Sequence, residues 1–349
     1  MSQTIYETQK TYPKILSNGR GLSNFYFDYG QFVKDHALDA SHIIRNRMNS
    51  DGIVIVKNAN LKKSADIEEW ANIWGSKQIS YAGGTNSRES MGGSVLTVGT
   101  EPPHINVAAH NEMSYTYYDL YPRIFMLGCV TAPRNKGETI FADNVGITEA
   151  LLKSRVGKKF YTHGVRYVRN YFNADDPAQA PTGLHHWQGA FNTTKKFLVE
   201  RSLRKKNVDH FEWFKNGSLR FSYYKPAFEW DEILNMNLAF VSIGNHGYWF
   251  RNWEPYCTLP DDMRPHHMTF GNGDPLTEED IQELVFLTIE NSLEHQWEDN
   301  DLVILDNLRF THARKPFRLE SDEKREIYVA MRLPRQRHGF IGDKLGLVG

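Results

Sequence analysis

Cysteine is nearly absent from this chain of 349 residues: Cys129 and Cys257 are the only two. A disulfide framework and an all-cysteine zinc site are thereby excluded, and a reducing compartment is the simplest expectation. Net charge is missing as well, because 41 Lys and Arg face 42 Asp and Glu for a formal charge of -1. Nothing global draws such a chain to nucleic acid or to an anionic membrane. Long hydrophobic runs are lacking too. The longest, around Ile124–Val130, falls far short of the ~20 residues that span a bilayer. The opening stretch MSQTIYETQKTYPK carries no apolar segment of the kind a secretory signal needs. No internal repeat, low-complexity tract or Pro/Ser-rich linker divides the chain. These absences lead to the expectation of a soluble, cytoplasmic protein. With 40% hydrophobic and 24% charged residues, it has enough apolar mass for a large core, which excludes disorder.

What is present reads as many short strands with helices at the start and one late. Residues 1–28 are polar and Gly-containing and are expected to pack loosely. Helices are expected over Ala37–Met48 and Ile67–Trp74, with the β-branched run Ile53–Val56 between them. Strands are expected at Ser94–Val98, Arg123–Thr131, Thr139–Phe141, Val165–Tyr171, Leu219–Tyr224, Ala239–Ile243, Leu302–Leu305 and Ile327–Met331, punctuated by Gly, Pro, Asn and Asp. A late helix is announced by Thr277-Glu278-Glu279-Asp280, which has the form of a capping box. Ile281, Leu284, Val285 and Ile289 follow it at helical spacing. Strands that do not alternate with helices argue for a sandwich or barrel over a doubly wound sheet. Leu333–Gly349 is expected to be peripheral.

The segment Ala108–Tyr115 carries the chemistry. On a strand, residues i and i+2 share a face, so His110 and Glu112 would present an imidazole and a carboxylate side by side. A second histidine, His312, follows a buried strand and the turn at Asp306-Asn307. Two histidines and one carboxylate with open positions form the facial triad of non-haem Fe(II) oxygenases. The same residues admit other readings. His/Glu ligands also suit a zinc-dependent hydrolase, and a jelly-roll module could keep a metal without turnover. His185-His186 and His266-His267 are poor ligand pairs, since neighbours on a strand face opposite ways. The stretch Gly244–Trp253, with His246, is read either as a pocket wall or as packing. The basic cluster Arg201, Arg204, Lys205 and Lys206 reads as a solvated face.

Several motifs in order resemble one family. They are Thr100-Glu101-Pro102-Pro103, His110-Asn111-Glu112 with Ser114-Tyr115, Tyr121–Phe125, Gly137-Glu138-Thr139 with Ala142-Asp143, Phe270–Asp274, and Asp306-Asn307 with His312, Arg314, Pro316 and Phe317. Together they resemble the Fe(II)/2-oxoglutarate-dependent dioxygenases of the TauD/TfdA superfamily, in particular the clavaminate-synthase-like and SyrP-like branch, over roughly residues 94–332. The resemblance implies a single catalytic domain, mainly β with flanking helices. Its core would be a double-stranded β-helix (jelly roll) over roughly 94–332 with an inserted lid-like region, and 1–93 would form a flank. It implies Fe(II) bound by His110, Glu112 and His312, with 2-oxoglutarate as cosubstrate and O2 as oxidant. The far carboxylate of 2-oxoglutarate would be held by Thr139 and an arginine. Strand parity favours Arg325, which matches core-facing Ile327, Val329 and Met331, over Arg332. A glutamate at position 112 argues against a halogenase.

The resemblance further implies a small, amino-acid-like substrate oxidised at an unactivated C–H. Hydroxylation in specialised metabolism is the lead, and oxidative cyclisation of the kainoid-forming type or desaturation is the alternative. For an acidic substrate the candidate carboxylate partners are Arg123, Arg169, Arg251 and Arg314, among which the sequence does not choose.

Overall fold

Four successive apolar residues, Ile53-Val54-Ile55-Val56, are fully buried and serve two cores at once. Alternation sends Ile53 and Ile55 to one face and Val54 and Val56 to the other. This strand, Ile53–Lys57, lies inside a seven-stranded sheet. The sheet runs Tyr26–Asp28, Ile53–Lys57, Leu302–Asp306, Ile124–Thr131, Glu326–Arg332, Val95–Thr97 and Ser90–Gly92. Its first pair is parallel and its other pairs are antiparallel. The computed structural model describes residues 12–35, 40–75, 88–99, 101–116, 121–176 and 186–333.

One face of this sheet is covered by the helices Ser41–Asp51 and Ser64–Asn72, through Ile44, Met48, Ile67 and Ala71. The other face packs on a four-stranded antiparallel sheet of Ser292–His295, Thr139–Asp143, Phe310–Arg314 and Val107–His110. Phe125, Leu127, Val329 and Met331 meet Phe141, Leu293 and Phe310 in the core between them. Two largely antiparallel sheets facing one another across a shared core make a double-stranded β-helix with flanking helices.

The smaller sheet's outer face carries the small residues Ala108, Ala142 and Ala313. Against it pack the helices Asn144–Lys153, Arg155–His163 and Glu278–Glu290 and a second four-stranded sheet. That sheet runs His266–Phe270, Val165–Tyr171, Leu219–Lys225 and His210–Trp213. Among the described residues, no helix is long and apolar enough to cross a membrane.

Several expected elements change. The first helix runs Ser41–Asp51, not Ala37–Met48, and stops where Gly52 adopts φ +75°; residues 36–39 lie outside those described. The second is Ser64–Asn72. Ala239–Ile243 is not a strand. Pairing ends at Ala239, and Ile243–His246 is a 3-10 turn. The chain before residue 28 is not loose where it is described, because Phe25 is buried and Tyr26–Asp28 pairs with Ile55–Lys57. The mid-chain helices Asn144–Lys153 and Arg155–His163 were not anticipated. Their start signals were present: Asp143 accepts from Val145 N–H and Ser154 accepts from Gly157 N–H. The late helix is capped as expected, Thr277 and Asp280 bonding reciprocally. Of the C-terminal stretch, residues 334–349 lie outside those described.

Arg123, a candidate substrate partner by sequence, belongs to this framework. Its guanidinium is 1% exposed and bridges Asp306 at 2.6 Å and Asp231 at 2.5 Å, both buried. Removing one partner of a buried ionic group strands the others in low dielectric. Arg123→Met is therefore expected to lower unfolding stability by about 3–5 kcal/mol, read from urea denaturation. A loss under about 1 kcal/mol would show that the triad is not structural.

Candidate metal centre

Sheet register brings the two histidines together. His312 on Phe310–Arg314 stands directly opposite His110 on Val107–His110 in an antiparallel pair. Side chains so placed start within about 5.5 Å of one another, and the ring centroids are 4.3 Å apart. Glu112 completes the group: one ligand atom from each of His110, Glu112 and His312 lies within 4.8 Å of the others.

Glu112 does not arrive by strand parity, as the sequence suggested. The strand ends at His110, and Glu112 sits in the following turn, where Met113 takes φ +55°. Two asparagines set that turn. Asn307 Oδ1 accepts from Glu112 N–H at 2.7 Å, and its Nδ2 donates to the carbonyls of Glu112 and Pro122 at 2.8 and 2.9 Å. Asn111 Nδ2 donates to the Asn307 and Phe310 carbonyls at 2.6 and 3.2 Å. All these groups are buried, so each bond replaces one that water can no longer make.

The donor set fits a divalent cation. His110 Nδ1 lies 2.9 Å from the Ala108 carbonyl, which can only accept. This puts the proton on Nδ1 and leaves the Nε2 lone pair for a ligand. His312 is buried, stacked on Phe125 at 4.4 Å, and its Nδ1 has no hydrogen-bond partner. Burial, helped by His110 and Arg88, holds its pKa well below the usual imidazole range, so the ring stays neutral and able to donate its lone pair. Glu112 supplies the negative charge.

Arg88 was not foreseen. Its Nη2 meets Glu112 Oε2 at 2.9 Å, with both side chains buried. A single arginine in a Gly/Ser/Asn-rich stretch carries no pattern that would flag it.

A cavity opens over the triad. Thr139 and Arg325 line it together with Leu127 and Val329. Thr139 Oγ1 accepts from Trp297 Nε1 at 2.9 Å, so its own hydroxyl hydrogen is free to point elsewhere. Arg325 Nε has no hydrogen-bond partner, and the guanidinium lies 4.9 Å from the Phe317 ring. Burial and the nearby Arg314 bring its pKa down to about 10, still cationic at neutral pH. Arg332 is elsewhere: it pairs with Glu68 at 2.7 Å on the helix side of the large sheet.

Of the other arginine candidates, Arg169 and Arg314 line the cavity, whereas Arg123 and Arg251 do not. Arg251 pairs with Asp261 and Glu278. Arg314 donates to the carbonyls of Glu101, Pro102 and Ile105. From the aromatic stretch, Gly244, Asn245 and Trp249 reach the cavity wall, whereas His246 does not and is buried, with its pKa pushed down to about 3 by that burial. His266 also borders the cavity. His186 caps a short helix by accepting from Gly189 N–H at 3.0 Å; His185 lies outside the described residues, as does Thr100. In the basic cluster Arg201, Arg204 and Lys205 are exposed.

A family model, taurine catabolism dioxygenase TauD, TfdA family, matches residues 18–331. The chain is similar to the dapdiamide synthesis protein DdaC of Enterobacter agglomerans, 24% identical over 296 residues that cover 83% of this chain and 84% of that one. It is likewise similar to a clavaminate synthase-like protein of Arabidopsis thaliana, 25% identical over 282 residues, covering 79% and 81%. A crystal structure of a taurine dioxygenase from Burkholderia xenovorans aligns with TM-score 0.46 at 12% identity, covering 84% of this chain and 80% of that one. With nearly its whole described length matched by the family model, the chain belongs to the taurine catabolism dioxygenase TauD, TfdA family and is a non-haem iron dioxygenase dependent on Fe(II) and 2-oxoglutarate.

Proposed function

We propose that His110, Glu112 and His312 hold the iron, that Arg325 and Thr139 hold the far carboxylate of 2-oxoglutarate, and that the enzyme oxidises an unactivated C–H of a small amino-acid-derived metabolite. Hydroxylation in specialised metabolite biosynthesis is the reaction favoured. One observation carries this reading: the only group of three metal-competent side chains among the described residues borders a cavity that also holds a guanidinium with no acidic partner. The similarity to a protein named for dapdiamide synthesis supports the metabolic setting.

Bound iron and 2-oxoglutarate supply the oxidant, since decarboxylation of the keto acid with O2 provides the power to cleave a C–H bond. The chain's own residues bind, orient and exclude water. The Ala108 carbonyl fixes the His110 tautomer, Phe125 clamps the His312 ring, and Asn307 holds the Glu112 backbone from both sides. Arg325 presents a fork donor for which a carboxylate is the natural partner, and Thr139 adds a hydroxyl. Leu127, Val329 and Trp249 give apolar walls, which keep water from the reacting carbon.

The test is turnover together with metal binding. His110→Ala and His312→Ala are each expected to abolish 2-oxoglutarate-coupled oxidation and to weaken Fe(II) binding severely, while the denaturation midpoint stays near wild type. Near-normal turnover in either would refute the ligand set. Arg325→Met is expected to raise KM for 2-oxoglutarate about 30-fold or more without changing metal affinity. Arg332→Met should leave that KM unchanged and lower stability by removing the ion pair to Glu68. Asn307→Ala touches no ligand atom, yet is expected to weaken metal binding about 10–100-fold, as loss of an orienting partner does; isothermal titration would read it.

A further inference from the structure

Four guanidiniums border the cavity, from Arg88, Arg169, Arg314 and Arg325. Arg88 pairs with Glu112 and Arg314 with three backbone carbonyls. Arg325 is assigned above to the cosubstrate. Arg169 is left, and it is the most buried of the four at 1% exposure.

Arg169 is held in place but not neutralised. Its Nη1 donates to the Val168 carbonyl at 3.0 Å and its Nη2 to Asn245 Oδ1 at 2.5 Å. Both acceptors are neutral. Its Nε is buried with no hydrogen-bond partner, so three of the five N–H donors of a guanidinium are unengaged. No carboxylate among the described residues forms an ion pair with it. The titratable groups around it are phenols, those of Tyr115, Tyr167, Tyr171 and Tyr223, and burial pushes the Tyr115 phenol up to about 12, keeping it uncharged. The guanidinium stacks over the Tyr115 ring at 4.1 Å. Asn245 is in turn fixed by donating to Ser114 Oγ at 2.8 Å and Ser242 Oγ at 3.0 Å, which aims its carbonyl at Arg169.

A buried, uncompensated cation is costly. Holding one rigidly at the wall of a ligand cavity makes sense if a ligand brings the anion. It also stands apart from Arg325. Arg169 lies on Val165–Tyr171 of the outer sheet, whereas Arg325 leads into Glu326–Arg332 of the large sheet. Tyr115 places it beside the turn that carries Glu112.

We propose that Arg169, oriented by Asn245 and Tyr115, is the anchor for a carboxylate of the substrate itself, so that the molecules oxidised are carboxylic acids and not the corresponding amides or amines. This rests on the reading of the site given above, in which Arg325 is reserved for 2-oxoglutarate. A guanidinium is the fork donor that suits the two oxygens of a carboxylate.

The full chain, loaded with Fe(II) and 2-oxoglutarate without oxygen, supports a test that needs no turnover. The visible charge-transfer absorption of chelated 2-oxoglutarate reports the metal site, and its perturbation reports substrate entry. The probes are free and N-alkylated L-amino acids of acidic, neutral and basic side chain, each compared with its carboxamide. Acids are expected to perturb the band and matched carboxamides to need about 30-fold or more higher concentration. Arg169→Met should keep the 2-oxoglutarate band yet lose the acid response by a similar factor, and Arg169→Lys should restore part of it. The proposal is overturned if carboxamides act as well as acids, if no acid perturbs the band, or if Arg169→Met responds like wild type. It is also overturned if a folded Arg169→Met loses the 2-oxoglutarate band itself, for then Arg169 holds the cosubstrate. Absence of the band in wild type overturns the site reading and this proposal with it, whereas a normal band without discrimination overturns this proposal alone. Should Arg169→Met fail to fold, the wild-type comparison of acids with carboxamides and the Lys variant decide.

Discussion

The register between Phe310–Arg314 and Val107–His110 is the constraint on which the site depends. It sets His312 opposite His110, and a slip of one residue would turn every side chain of one strand to the other face. Both strands are buried in a sheet that is apolar on its two sides, so a slip would also drive core residues out of their core. The candidate metal centre thus borrows its precision from hydrophobic packing. The asparagine network then extends that precision beyond the end of the strand to Glu112.

Charge within the cavity is lopsided. Four guanidiniums line it against two carboxylates, Glu101 and Glu112. Burial lowers the pKa of Arg169, Arg314 and Arg325 alike, which records the unfavourable cost of keeping them charged and dry. The imbalance is reduced when anions enter. Folding therefore leaves part of its electrostatic strain to be relieved by ligands, an arrangement that strengthens binding at the expense of the empty protein.

Much of this was legible in the sequence. Residue types and order pointed to His110, Glu112 and His312, and the apolar run Ile53–Val56 announced a strand buried on both faces. Of the two arginines the sequence offered, Arg325 lines the cavity and Arg332 pairs with Glu68, although Arg325 precedes the strand and a register shift separates it from Ile327. What stayed hidden depends on contacts distant in the chain. The route by which Glu112 reaches the site is set by Asn307, not by local alternation. Arg88 has meaning only once Glu112 lies beside it. Among Arg123, Arg169, Arg251 and Arg314, the deciding fact is which guanidinium is already engaged, by carboxylates for Arg123 and Arg251 and by backbone carbonyls for Arg314, and those partners are scattered along the chain. The Ala239–Ile243 segment looked extended because its side chains are apolar. The 3-10 turn that follows it, Ile243–His246, lies close against Val107–His110.

That turn has a bearing on how the enzyme can diversify. A Cβ at Gly244 would sit 2.9 Å from the carbonyl oxygens of Ala108 and Ala109 and 3.0 Å from His110 Cβ. The backbone bearing Asn245 is thus pressed against the backbone bearing His110, with no side chain between to cushion relative movement. Wall and floor are geared together: any remodelling of this side of the chamber that shifts the main chain would drag His110, a proposed iron ligand, along with it. New specificities are then most readily reached by exchanging side chains on an unmoved scaffold.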